Sequence, residues 1–137
     1  MFNRPTAGPS HPWLDSRMRT ANTKLSKTIH ELELNQAKAL LRELVSHVED
    51  MQTKLANSRT TRLSASAGIN AIDRLLMIVV VLTVYDSQEE ATAKTARDAF
   101  DLLHRADLRD PGIRASCESV LTSLHRTFST WTFDQRH

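Results

Sequence analysis

The chain has 137 residues, of which 40% are hydrophobic, 25% charged and 5% aromatic, and its formal net charge is +2. This length and composition predict one globular domain that is large enough to bury its own core. Three glycines are too few for the glycine-rich loops of nucleotide-binding sites and nucleophile elbows. The single cysteine excludes an intramolecular disulfide and a cysteine-based zinc site.

The apolar segments bear on the compartment. The longest unbroken apolar run, Leu75 to Leu82, falls far short of the ~20 residues that span a bilayer, and no signal-peptide pattern follows Met1. We therefore expect an intracellular protein without a transmembrane segment, and cytoplasm is the compartment that we favour.

Residues 1–27 are predicted to form a disordered or extended basic arm. They carry five Lys or Arg residues against Asp15 alone, and their three prolines oppose regular structure. Three interpretations stay open. The arm is a solvated tail, a docking arm anchored by apolar side chains such as Trp13, or a mitochondrial targeting sequence, which the prolines disfavour.

A long first helix is predicted over residues 28–57. Thr28 and Glu31 have the spacing of a capping box at its start. Behind them, apolar residues recur at alternating steps of three and four, which places them along one side of a helix. This first-helix seam consists of Leu34, Ala37, Leu41, Leu44, Val48, Met51 and Leu55.

Three shorter helices follow, at residues 64–85, 88–106 and 111–131. The centre of the second, from Leu75 to Tyr85, is rich in β-branched residues and resembles a strand when taken alone. We predict a helix because the chain holds no second β-like run to pair with it, and a lone strand leaves its backbone groups unpaired. A helix that is apolar on all sides is buried on all sides, so this one should lie at the centre of the fold.

Local signals mark the starts of the last two helices. Ser87 and Glu90 form a second capping box, and Asp110 offers an N-cap side chain directly before Pro111 at the first helical position. Residues 132–137 are predicted to be a short polar C-terminal tail.

These elements predict an all-α fold over residues 28–131, in the form of an up-down four-helix bundle with a long first helix. Because the first helix is the longest of the four, we expect one end of its seam to project beyond the bundle without cover. Exposed apolar seams mark interaction sites, which makes this end a candidate docking surface.

The sequence indicates no catalytic, metal or cofactor site. The Glu-x-x-His pattern of bundle metal sites is missing, and His30 and His47 fall out of phase on one helix. Cys117 lies on the apolar stripe of the fourth helix with no histidine within one turn, as expected of a small buried hydrophobe. We therefore expect a protein that is not an enzyme and binds no cofactor.

The function predicted from these features is that of a structural or interaction subunit in a larger protein assembly. The first-helix seam and the arm are expected to bind a protein partner, either in a hetero-complex or by self-association. The predicted partner-binding residues are Leu34, Leu41, Leu44, Val48, Met51, Leu55 and Trp13.

The alternative function is that of an RNA-contacting subunit of a ribonucleoprotein particle. Binding to phosphates requires clustered Lys and Arg, and the arm supplies such a cluster, which the first loop extends if the arm folds back. The candidate residues are Arg17, Arg19, Lys24, Lys27, Arg59 and Arg62. Sequence-specific DNA binding is not expected, because the fourth helix begins with a single cation, Arg114, and the body is net acidic.

Overall fold

The computed structural model describes residues 12–82 and 87–133, with the side chains of residues 12–19, 21, 22, 26 and 87 outside that description. Four helices occur in the described residues, and they are α1 (Pro12–Ala56), α2 (Ser66–Leu82), α3 (Ser87–Arg105) and α4 (Pro111–Thr130). No strand is present in these ranges, which confirms the prediction of an all-α fold.

The chain divides into two units between Glu33 and Leu34, within the length of α1. In the first unit, every side chain that the structure describes is exposed or half-buried. The buried apolar side chains of the described residues all belong to the second unit, from Leu34 to Phe133, and no polar or charged residue is buried among them. The hydrophobic core is therefore a property of the second unit.

In the second unit, α4 runs antiparallel to α1. Arg114, near the start of α4, donates a hydrogen bond to the carbonyl of Leu55 at the end of α1. Further along both helices, His125 and Glu49 lie 3.0 Å apart. The two helices therefore pack side by side in opposite directions.

α2 and α3 also run antiparallel, and their backbones lie close together. Gly68 of α2 permits this approach, because a Cβ at that position would lie 2.8 Å from the ring of Phe100 on α3. Arg97 of α3 also donates a hydrogen bond to Asp73 of α2, at 3.2 Å. The four helices pack against each other around one core.

The start of α1 differs from the sequence-based expectation. The helix begins at Pro12, so the prediction of a disordered or extended arm is wrong for residues 12–27. Proline is tolerated at the first helical position, where its missing N–H has no partner to lose. Thr28 lies inside the helix, and its hydroxyl donates to the carbonyl of Lys24 at 2.9 Å instead of capping a terminus. Residues 1–11 lie outside the described residues.

The other helix boundaries lie close to those predicted. The start of α4 agrees with the prediction, because Asp110 Oδ1 accepts hydrogen bonds from the N–H groups of Gly112 at 2.8 Å and Ile113 at 3.3 Å. α2 begins at Ser66, two residues later than expected, and the predicted continuation to residue 85 falls outside the described residues.

The segment after α4 is not uniformly polar, as a free tail would be. Phe133 is buried, and its ring stacks on Trp131 with 5.6 Å between centroids. The predicted polar tail is therefore wrong at Phe133, while residues 134–137 lie outside the described residues.

Candidate functional site

The structure places the first-helix seam in the core of the second unit. Its exposed fraction is 7% at Leu34 and at most 6% from Ala37 to Leu55, so the expectation of an uncovered seam is wrong. The reason is that α1 packs against the rest of the bundle along its whole length from Leu34 onward. Six of the predicted partner-binding residues, Leu34, Leu41, Leu44, Val48, Met51 and Leu55, thus lie in the core, and the Trp13 side chain lies outside the described residues.

A different set of apolar side chains on α1 is exposed. Leu25 and Leu32 each expose 60% of their surface, and Ile29 exposes 48%. We call these three residues the N-terminal stripe, because steps of four and three place them on one side of the helix. This helical spacing is visible in the sequence, but it was not interpreted as a stripe because an extended arm was expected there.

The N-terminal stripe is not a continuation of the first-helix seam. Steps of four, three and four backward from Leu34 fall on His30, Lys27 and Thr23, which are polar. In the sequence, Leu14, Met18 and Ala21 extend the spacing of the N-terminal stripe instead. Helix α1 therefore carries two apolar stripes in different registers, one buried from Leu34 onward and one exposed before it.

A second exposed apolar surface lies on α2. Met77 exposes 73% of its surface, Val81 59% and Val80 49%. The sequence-based picture of a helix buried on all sides is therefore wrong at these positions, because one side of α2 faces away from the core.

The six residues predicted to contact RNA are divided between the two units. Lys24 and Lys27 are exposed on α1 in the first unit, whereas Arg59 and Arg62 are exposed in the loop between α1 and α2 in the second. Arg62 donates to the carbonyl of Arg105 at 3.4 Å, so the C-terminus of α3 holds this side chain. The side chains of the remaining two candidates, Arg17 and Arg19, lie outside the described residues.

Several charged groups near the loops hold the fold together. The guanidinium of Arg114 donates to the carbonyls of Leu55 at 3.3 Å, Asn57 at 3.0 Å and Thr60 at 2.9 Å. These carbonyls belong to the end of α1 and the following loop, where helical hydrogen bonds run out. The single cation at the start of α4 is thus a cap for the end of α1.

Two further contacts fix the neighbouring segments. His104 Nδ1 of α3 accepts a hydrogen bond from the N–H of Ala65, directly before α2, at 3.2 Å. In the loop before α4, the Arg109 guanidinium bonds both carboxylate oxygens of Asp107, at 2.9 and 2.8 Å. These bonds hold the pKa of the Asp107 carboxyl well below its usual range.

A groove of about 610 Å³ lies between α1 and the end of α4. Its apolar lining comes from Leu41, Val45 and Phe128 and from the stacked pair of Trp131 and Phe133. This volume lies in the range of ligand pockets, which is roughly 300–1,000 Å³. We call it the α1–α4 groove.

Two cations also line the α1–α4 groove. Lys38 and Arg42 are one turn apart on α1, and both are exposed. Neither forms an ion pair with a described residue. The groove therefore combines an apolar floor with positive charge that is not neutralised within the described part of the chain.

Two of the described histidines and the cysteine are held by structural contacts. His47 lies 3.3 Å from Glu43 on the same helix, and His125 lies 3.0 Å from Glu49 on the neighbouring one. Cys117 is buried, and that burial raises the pKa of its thiol. Across residues 12–82 and 87–133, no three His, Cys, Asp or Glu side chains converge on a point where a metal ion could sit.

None of the helices described is both long and apolar enough to span a membrane. The sequence matches no protein-family model, and comparison with curated proteins and with solved structures finds no significant similarity.

Proposed function

We propose that this protein is a non-enzymatic interaction subunit of a larger protein assembly, and that it docks onto a partner protein through the N-terminal stripe. The exposure of Leu25, Ile29 and Leu32 is the observation that carries the proposal. The proposal includes a hetero-complex in the cytoplasm and an up-down bundle for residues 34–133.

The first argument concerns helix stability. Isolated helices are marginal in water, because nucleation is costly and most helical stability in proteins comes from packing an apolar side against a neighbour. Within the first unit, the described side chains of α1 have no such packing, since none of them is buried. A partner that covers the N-terminal stripe would supply it.

The second argument concerns the shape of the stripe. Its steps of four and three keep the three apolar side chains in one narrow line. The same spacing continues in the sequence at Leu14, Met18 and Ala21. A narrow line of this kind is the seam of a two-helix or three-helix contact, whereas a globular core needs a broader apolar side. A helix of the partner is therefore the expected counterpart.

The proposal is tested by placing charge in the stripe. We expect Leu25→Glu/Leu32→Glu to lose the captured partner when the tagged full chain is purified from its native source and retained proteins are quantified by mass spectrometry. The loss should be at least roughly tenfold, because an unpaired carboxylate is costly to bury in an apolar contact. Far-UV circular dichroism and the melting temperature should stay near those of the parent, because neither side chain contributes to the core.

Ser46→Glu/Thr53→Glu is the matched control. Both positions are exposed on α1, have the same separation of seven residues and introduce the same charge. Partners that parent and control retain and the stripe variant loses support the proposal. Identical partner sets for all three proteins contradict it.

RNA contact is the second candidate function. Lys24, Lys27 and Arg59 are exposed and form no ion pair within the described residues, which leaves their charge available to phosphates. For single strands, the logarithm of affinity falls with that of salt concentration with a slope of about −0.7 per phosphate contact. We therefore measure the affinity for a single-stranded RNA at several salt concentrations. Lys24→Glu/Lys27→Glu should reduce the slope of log affinity against log salt by about 1.4, that is two contacts at about 0.7 each. Lys54→Glu/Arg126→Glu should leave that slope unchanged. A parent affinity that does not respond to salt would exclude RNA contact.

A further inference from the structure

The α1–α4 groove is a surface feature of the second unit, whereas the N-terminal stripe belongs to the first. All of its lining residues lie in the second unit, from Lys38 to Phe133. Leu41 and Phe128 are buried beneath it, with exposed fractions of 5% and 2%. Because these residues belong to the core, the apolar floor of the groove is rigid and is present before any ligand arrives.

The aromatic pair gives the groove a wall that can hold an apolar side chain. The rings of Trp131 and Phe133 stack at 5.6 Å, and Trp131 is half-buried. The indole N–H of Trp131 forms no hydrogen bond with a described residue, so it can donate to an oxygen of a ligand. Large aromatic side chains beside an apolar floor are typical of the residues that dominate binding energy at interfaces.

The positive charge of the groove favours a negatively charged ligand. Lys38 and Arg42 are separated by one helical turn, so their charged groups can bind two carboxylates that are also about one turn apart. Glu43, the neighbour of Arg42 in the sequence, already bonds Arg74 at 2.8 Å and His47 at 3.3 Å. Lys38 and Arg42 are therefore available to pair with the carboxylates of a ligand.

From this combination we infer that the α1–α4 groove binds a short acidic segment of a partner protein, which inserts an apolar side chain against Trp131 and pairs two carboxylates with Lys38 and Arg42. A peptide suits the groove better than a compact small molecule, because the groove follows α1 for two turns from Lys38 to Val45 and is open to solvent along one side. The segment can lie along it and keep its remaining polar groups hydrated. This inference does not depend on the N-terminal stripe.

The test begins with an unbiased probe. A phage library of random peptides of about 12 residues is selected for binding to the immobilised full chain. Peptides that also bind the Lys38→Glu/Arg42→Glu variant are removed beforehand. We expect enriched peptides that carry two acidic residues close to a Leu, Phe or Trp. Both substituted positions are exposed, so the variant should retain the circular dichroism spectrum and melting temperature of the parent.

Affinity is then measured for an enriched peptide that lacks tryptophan. The chain has two tryptophans, so Trp13→Phe leaves Trp131 as the only indole to report on the groove. Peptide binding should shift the Trp131 emission. In this background, Lys38→Glu/Arg42→Glu should weaken binding by roughly tenfold or more, because it replaces two ion pairs with like-charge contacts. Lys54→Glu/Arg126→Glu, which reverses two exposed charges on the same two helices outside the groove, should change it less than about twofold.

Charge reversal in the peptide completes the test. A peptide with lysines in place of its acidic residues should bind Lys38→Glu/Arg42→Glu and not the parent. Nonspecific binding cannot produce this exchange of preference. The inference is overturned by any of three results: no enrichment, enriched peptides without acidic residues, or equal affinity for parent and groove variant. A parent dimer in light scattering that Lys38→Glu/Arg42→Glu abolishes would also overturn it, because a second copy would then fill the groove.

Discussion

Arg114 shows how one side chain can fix several backbone segments at once. Its guanidinium reaches carbonyls of Leu55, Asn57 and Thr60, which lie 59, 57 and 54 residues away in sequence. The fork of donors on arginine suits this task, because its N–H groups point in fixed directions and remain charged at every working pH. The positive charge also favours the C-terminal end of α1, where the helix dipole is negative.

We expect Arg114→Ala to destabilise the fold by about 2–3 kcal/mol. The substitution leaves part-buried carbonyls without their charged donor, and hydrogen bonds to charged groups contribute about 1.5–3 kcal/mol. Urea denaturation followed by circular dichroism measures the change. Arg126→Ala, at an exposed position of the same helix, should stay within about 0.5 kcal/mol of the parent. Equal effects from both variants would contradict the capping role.

Gly68 leads to a prediction of the opposite kind, since here a larger side chain should be harmful. In an open helix, replacing glycine by alanine is stabilising by roughly 1 kcal/mol. A methyl group at this position would meet the Phe100 ring at 2.8 Å, and that ring is fully buried and stacked on Phe128 at 5.9 Å. We therefore expect Gly68→Ala to be destabilising by about 1–3 kcal/mol, as overpacked cores are. An unchanged or raised melting temperature would show that α2 and α3 can separate without cost.

The residues that sequence reasoning found and missed differ in the distance to their partners. Asp110 was predicted as an N-cap, because its partners are two and three residues away. Arg114, His104 and Gly68 were missed, because each acts on a segment that is remote in sequence. Local patterns encode the first kind of contact, and only the packed fold reveals the second.

Helix α1 has two parts that differ in the burial of their apolar side chains. The part from Leu34 onward is held by the core, while the part before it presents the N-terminal stripe to solvent. Sequence reasoning found the first-helix seam, because its spacing is regular, and it misjudged the start of α1, because it read Pro12 as a helix breaker. The burial of the whole seam from Leu34 to Leu55 could not be predicted, since it depends on how far the other three helices reach along α1.

The two parts of α1 should respond differently to the same substitution. We expect Leu44→Ala to cost about 2–5 kcal/mol, because Leu44 is fully buried and its truncation leaves a cavity. Leu25→Ala should cost at most about 0.5 kcal/mol in the free protein, since Leu25 is 60% exposed. Chemical denaturation of both variants measures the contrast. A large loss from Leu25→Ala would mean that the N-terminal stripe is already covered within the free protein, for example by self-association.

The position of the core predicts which part of the chain folds alone. Because every buried apolar side chain described lies at or after Leu34, a fragment of residues 34–137 should unfold cooperatively. Its melting temperature should lie within a few degrees of that of the full chain. Differential scanning calorimetry of the fragment and the full chain tests this. A fragment that melts without a cooperative transition would show that residues before Leu34 contribute to the core.

The candidate sites were harder to predict than the fold. Helical periodicity and capping residues gave most of the fold, because both depend on neighbours along the chain. α2 was predicted as a helix for another reason, namely that the chain holds no second β-like run. The α1–α4 groove joins Lys38 and Arg42 to Trp131 and Phe133, which are distant in sequence. Its existence follows from the antiparallel packing of the first helix against the last.

That same packing bears on how the protein is made. Residues of α1 and α4 that meet in the fold are far apart in sequence, and Glu49 and His125, for example, are separated by 76 residues. A ribosome adds residues at about 5–20 per second, so α1 emerges several seconds before α4 can reach it. During that interval the first-helix seam has no cover from its last partner. The nascent chain therefore passes through a period of exposure to aggregation and to chaperones, which ends only when α4 docks.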